Sequence, residues 1–344
     1  MKEYLKYLIK KRFPVYLSLF ISFAAIFVIF NGKTFMLRSH YYEPTNSSVY
    51  YVDPNMLSLY TVPLTIVLTL VPIFEFGFKM HRISCEQAYS LPIKRGDLYL
   101  ARYIIGLLEV MVPFVLAFLL SLMPLLTWIP EYVSFGGFFV YLGLILVAGI
   151  LYYSIIVFFA CQANNVLDAV FTIVFVMFAL SCFMAIMYRI IPDVRYSTAY
   201  QNYFGGELEF SVFSLVSYAT ILGAKKIFEL NHSIYLVPLI CNCILGVLCI
   251  VGQFFISKTF KSEDAGQKSE SYFCYKVMVP ILSLGLTCSL ASAVSTIYLG
   301  VVVIAITYFV FVAHRRSFKF NALTWGIFAG TVLMDLIIIA IYAR

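Results

Sequence analysis

Apolar runs recur from one end of the chain to the other, and the polar stretches between them gather most of the charge. A helix crosses the hydrocarbon core of a bilayer with about 20 largely apolar residues. Nine segments fit that pattern: 15–31, 58–76, 103–127, 137–160, 169–187, 234–256, 277–294, 297–313 and 321–342. The seventh and eighth come from one stretch, 277–313, about twice the length of a single span, which is divided at a tight hairpin near Ser292–Thr296. Residues 169–187 are apolar on every side, whereas a membrane β-strand alternates apolar and polar with period two. The chain therefore reads as all-α, a polytopic helical membrane protein.

Composition excludes a soluble fold. Hydrophobic residues make up 62% of the chain and charged residues 12%, against roughly a quarter charged in ordinary soluble domains. The run 15–30 is followed by Asn31-Gly32-Lys33 and not by a small-x-small cleavage site, so it reads as an uncleaved first span. Residues 211–224 are apolar but too short to cross, which suits an interfacial or re-entrant helix. Charge tests this. With a cytoplasmic N-terminus and 211–224 not crossing, 17 of the 24 basic residues fall inside, as the positive-inside rule prefers. A crossing at 211–224 would remove that asymmetry.

The net charge of +7 is spread over the ends of apolar runs instead of one face, so it argues for topology and against nucleic acid. Tyr41, Tyr42, Tyr50 and Tyr51 fall in an outside loop, 32–57, where amphipathic rings anchor to headgroups. A larger outside loop covers 188–233. Residues 1–13 place Tyr4, Leu5, Leu8 and Ile9 at helical spacing with Lys2, Lys6 and Lys10 on another side, the pattern of a helix lying on the inner leaflet. Residues 257–276 form a polar cytoplasmic linker. None of the eight cysteines falls in an outside segment, so no disulfide framework is expected.

No GxxxxGK[ST] phosphate loop and no HExxH occurs, and His40, His81, His232 and His314 lie far apart. His81 and Cys85 share a helical spacing, but two ligands do not make a zinc site. The chain is expected to bind no metal or cofactor and to catalyse no reaction. Ionisable residues inside spans are costly and therefore functional candidates. Three stand out: Glu75, Glu109 and Asp335. Glu75 and Glu109 either help gate an inner mouth or are interfacial carboxylates paired with Arg82 or Arg102. Asp335 has no base within a helical turn, so it pairs across helices or meets outside water.

The basic loop 79–102 is the most informative segment. Its first dozen residues suit a short helix, which Leu91-Pro92 ends because proline disfavours helix at the preceding residue. Ile93–Gly96 then reads as a turn, with Asp97 capping the next helix. Glu86, the run Leu91-Pro92-Ile93-Lys94-Arg95, then Tyr99, Arg102-Tyr103 and Gly106 together resemble the cytoplasmic loop of bacterial ABC-2-type exporter permeases. The linker, with Ser262-Glu263 and Ala265-Gly266, and the basic turn after the eighth span resemble the Gram-positive members that carry extra C-terminal spans.

That resemblance implies a six-span core with the N-terminal interfacial helix in residues 1–256, a linker in 257–276 and added spans in 277–344. It implies a coupling helix bearing Arg82, Ile83, Glu86 and Tyr89, edged by Lys94 and Arg95, which docks on a separate ABC ATPase that binds ATP and Mg. A second permease copy or paralogue would complete an export path through the bacterial cytoplasmic membrane, for a peptide, antibiotic or lipid-like substrate. Six-span permeases end inside, whereas nine spans end outside. The alternatives are a secondary transporter or channel, or a non-transporting membrane sensor or assembly protein.

Overall fold

The computed structural model describes residues 2–30, 37–42, 47–52, 58–128, 135–174, 236–259, 296–315 and 321–342, with shorter pieces at 176–177, 216, 219, 265–266, 276–277, 279–281, 283–284, 287 and 318–319. The long helices are α1 (Lys2–Phe30), α2 (Ser58–Phe76), α4 (Arg95–Trp128), α5 (Phe135–Ala160), α7 (Leu236–Thr259), α8 (Thr296–Arg315) and α9 (Ala322–Tyr342). Between α2 and α4 come a tight 3-10 turn, Gly77–Met80, and the short helix α3 (Arg82–Tyr89); a further helix, α6, covers 166–174.

Among the described residues one pair of strands interrupts the helices. β1 (Leu37–Tyr42) and β2 (Ser47–Val52) pair antiparallel, with Leu37 opposite Val52 and Tyr42 opposite Ser47. The tyrosines read from sequence as headgroup anchors thus belong to a hairpin, whose Val and Tyr content suits a pleated backbone. The expected surface helix over 1–13 and the first span are also one continuous helix, which runs through Pro14 without a break. Ser18 and Ser22 donate back to the Val15 and Ser18 carbonyls just beyond it.

Among the described residues four helices are long and apolar enough to cross a membrane, over Glu3–Ile29, Tyr60–Met80, Arg95–Ser121 and Gly136–Ala160; Cys243–Phe255, Val302–Val312 and Ala322–Ile337 are shorter apolar helices. Large apolar side chains face outward along them, among them Ile66, Leu70, Phe74, Leu116 and Val147. In water that surface would be unfavourable, but against lipid it is matched. Residues 178–187 of the fifth expected span, the 188–215 part of the larger loop and most of 211–224 lie outside the described residues.

Helices in lipid gain nothing from leaving water, so they associate through close packing and hydrogen bonds. α1 lies along α4, while α2 packs on both α4 and α5, and α7 runs along α5. At one end of this bundle the core is aromatic. Phe23 and Phe27 of α1 meet Tyr60 of α2 and Phe114 of α4, with Phe27 and Tyr60 centroids 4.6 Å apart and Phe23 edge-on to Phe114. Phe118, Phe138 and Tyr141 extend the cluster. Midway, Thr69 and Tyr152 hydroxyls are 2.9 Å apart, joining α2 to α5. Nearer the α3 end, Tyr103 bonds to Ser154 at 2.7 Å, and Gln253 of α7 donates to the Ser154 carbonyl at 2.6 Å.

Candidate functional site

The end of the bundle opposite the aromatic cluster is ionic. α2 brings Glu75 there, and its carboxylate is 1% exposed. Arg12 of α1 contacts one oxygen at 2.5 Å as an ion pair, and Arg102 of α4 donates to the other at 3.1 Å. A buried carboxylate is tolerated only when its charge is matched, and here Arg12 forms an ion pair with Oε1 while Arg102 both pairs with and donates to Oε2. The sequence offered Arg82 or Arg102 as the partner of Glu75. Arg102 is one partner; Arg82 points elsewhere, and Arg12 takes the second place. Arg12 was missed because helix packing, and not sequence spacing, puts it at this depth.

Glu109 is buried one helical stretch further along α4, within electrostatic range of both Glu75 and Arg12. Its Oε2 and the Tyr153 hydroxyl are buried with no hydrogen-bond partner. Gly106 makes this convergence possible. A Cβ at that position would collide with Tyr153 Oη and press on Glu75 Cγ. The absence of a side chain lets α4 close on α2 and α5 at the ionic end.

Directly beyond this cluster stands α3. Its end is set by the Ser90 N–H bonding to Glu86 O at 2.9 Å, after which Leu91-Pro92 leaves the helix and a tight turn joins the Ile93 N–H to Leu91 O. α4 begins at Arg95, three residues earlier than a cap at Asp97 would give. The Leu98 N–H bonds to Lys94 O, so Lys94 stands at the cap and Asp97 in the first turn, where a carboxylate favours the helix dipole.

The two faces of α3 differ sharply. Cys85 is fully buried and Tyr89 half-buried, with the Arg95 guanidinium 4.8 Å above the Tyr89 ring. Burial pushes the Cys85 thiol up, and pushes the Tyr89 phenol up to about 12. The inward face is thus uncharged. Arg82, Ile83 and Glu86 face outward: Ile83 is 73% exposed, and Arg82 and Glu86 pair along the helix at 3.0 Å. Lys94 and Arg95 are exposed beside them. The residues singled out from the loop therefore share one open edge, with Tyr89 turned inward.

Two segments close under α3. Ala265 of the linker is buried against Cys85, and the Gly266 N–H donates to Asn164 O at 2.8 Å. Gly266 has φ +78°, a left-handed conformation that glycine adopts without steric cost. Asn164 belongs to the turn after α5, where Asn165 accepts from the Asp168 N–H at 2.8 Å and so caps α6. Cys161, in the same turn, is also buried, and burial pushes its thiol up. Lys79 is buried between them, with Nζ 3.4 Å from the Cys161 carbonyl and 6.0 Å from the centre of the Tyr99 ring.

Asp335 lies apart from all of this, in the C-terminal helices. It is 1% exposed and accepts from Ser283 at 2.5 Å and Thr287 at 2.8 Å. It pairs across helices, as one of the two sequence readings has it, but with hydroxyls and not with a base. Among the described residues no group of three or more His, Cys, Asp or Glu is placed to hold a metal ion.

Fold and site together define a helical membrane protein with an ionic bundle end and a short amphipathic helix standing on it. The chain matches no protein-family model, no curated protein and no solved structure.

Proposed function

We propose that this chain is the membrane subunit of a two-component, ATP-driven exporter of the ABC-2 type. In this reading nine spans cross the bacterial cytoplasmic membrane, the N-terminus and α3 are cytoplasmic, and α3 is the coupling helix. A separate ATPase binds ATP and Mg, and a second permease copy or paralogue completes the path for an amphiphilic peptide, antibiotic or lipid-like substrate.

The observation that carries the reading is the form of α3. Eight residues held by turns between two long helices expose Arg82, Ile83 and Glu86 and bury Cys85. A charged helix of this kind, followed by a turn into α4, whose Arg102 shares Glu75 with Arg12, is suited to pass a push from a soluble partner into three helices at once. The resemblance of the loop sequence to ABC-2 permeases points the same way.

Co-purification tests it. The chain is co-expressed with candidate ABC ATPase subunits from its own genome, and a stoichiometric complex with one of them is expected. Charge reversal by Arg82→Glu with Glu86→Lys is expected to dissolve that complex while leaving the membrane subunit folded. An unaffected complex would remove α3 as the docking element. Topology has its own test: a membrane-impermeant thiol reagent applied to intact cells is expected to spare Ser269→Cys in the linker.

A further inference from the structure

The C-terminal helices contain a polar cluster with no part in the docking reading. Asp335 of α9, Ser283 and Thr287, which are themselves helical, and Thr307 of α8 are each 1% exposed or less. Ser283 Oγ lies 2.5 Å from one carboxylate oxygen of Asp335 and 2.6 Å from Thr307 Oγ1. Thr287 Oγ1 lies 2.8 Å from the other carboxylate oxygen. Five side-chain oxygens from three helical segments are thereby gathered around one negative charge.

No basic side chain among the described residues reaches Asp335. A carboxylate in a bundle interior without a countercharge is strongly disfavoured, and hydroxyl donors offset only part of that cost. A proton or a cation entering the cluster would supply the missing charge.

The hydroxyl protons show what the cluster can accept. Thr287 Oγ1 is 2.9 Å from the Ser283 carbonyl, and Thr307 Oγ1 is 2.8 Å from the Val303 carbonyl, each one turn back on its own helix. Both threonines can therefore place their protons on backbone acceptors. Their oxygen lone pairs then face inward together with the carboxylate. Rotation of these hydroxyls alone turns the threonine oxygens from donors into acceptors. The donors are all hard oxygens, which select hard cations, and a single carboxylate balances one positive charge and not two.

We propose that Asp335, Ser283, Thr287 and Thr307 form a binding site for a monovalent cation of the sodium class. The site ties Ser283 and Thr287 to α8 and α9 when filled. It does not depend on the exporter reading, because no residue of α3 takes part.

The test uses the full chain purified in detergent, with radioactive sodium binding and thermal unfolding as readouts. Unfolding is followed in sodium, potassium and choline chloride at equal ionic strength, at pH values on either side of neutrality. Saturable binding of one sodium per chain is expected, with a rise in unfolding temperature that choline does not reproduce. Asp335→Asn is expected to abolish both responses, and Thr307→Val or Thr287→Val to weaken sodium binding by roughly tenfold or more. If Asp335→Asn fails to fold, the two valine variants, which keep the carboxylate, decide. Equal responses to all three salts would overturn the proposal. So would a stability that follows pH alone, which would assign the site to a proton, or sodium binding retained in Asp335→Asn.

Discussion

Arg12, near the start of α1, and Glu75, at the end of α2, meet at 2.5 Å, and this contact fixes the first helix of the chain to the bundle at its ionic end. Glu75 is the hub, since Arg102 uses its other oxygen. Replacing Glu75 with Ala leaves two guanidiniums facing each other in partly buried surroundings, which is expected to cost about 3–5 kcal/mol. Arg12→Ala should cost less, because Arg102 still pairs with Glu75 and Arg12 is 28% exposed. Thermal unfolding in detergent checks the order. An Arg12 variant less stable than the Glu75 variant would show that the hub lies elsewhere.

Gly106 gives a second test of the same junction. Gly106→Ala places a methyl group against Tyr153 Oη and Glu75 Cγ, and overpacking of this kind costs about 1–3 kcal/mol. Adding Tyr153→Phe should recover part of that loss, because it removes the atom struck first. Gly143→Ala is the control: nothing lies within 4 Å of its new methyl, and alanine in a helix is expected to gain about 0.5–1 kcal/mol.

The two faces of α3 should differ in thiol chemistry. Thiolate is the reactive form, and burial raises the Cys85 pKa, so less thiolate is present at any pH near neutral. Cys85 is expected to react with iodoacetamide far more slowly than a cysteine placed at exposed Ile83 in a Cys85→Ala background. Raising the pH should speed the Ile83→Cys reaction first, with Cys85 lagging. Comparable rates would mean that α3 is not seated on Cys85.

Gly266 is expected to control that seating. At φ +78° a residue with a Cβ costs about 1–2 kcal/mol, although space is available, since the added atom would be 3.8 Å from the Met80 carbonyl. Gly266→Ala should therefore loosen the Ala265 contact and quicken Cys85 alkylation, with little change in overall unfolding temperature. Unchanged alkylation would separate the linker turn from the cover over α3.

Much of the helical frame was legible because an apolar run ends where charge or proline begins. The expected spans 58–76 and 321–342 match α2, Ser58–Phe76, and α9, Ala322–Tyr342, within a residue. Leu91-Pro92 marked the end of α3 by backbone sterics alone. The hairpin β1–β2 was not legible, because tyrosines that favour strands favour headgroups equally. Arg12 with Glu75, Ala265 with Cys85 and Asp335 with its hydroxyls were hidden for a different reason. Each joins segments far apart in sequence, and a serine or threonine inside an apolar run carries no sign of whether it bonds to its own helix or to another.

Pro14 gives α1 a property that its continuity conceals. Proline donates no hydrogen bond, so the Lys10 carbonyl loses its helical partner, and the back-bonding of Ser18 and Ser22 weakens the next two turns. These pliable turns lie between two anchorages, the Arg12 ion pair and the Phe23–Phe27 aromatic contacts. The first helix is thus a jointed strut: its foot can stay pinned while its shaft leans, and bending at the joint costs less than breaking either hold.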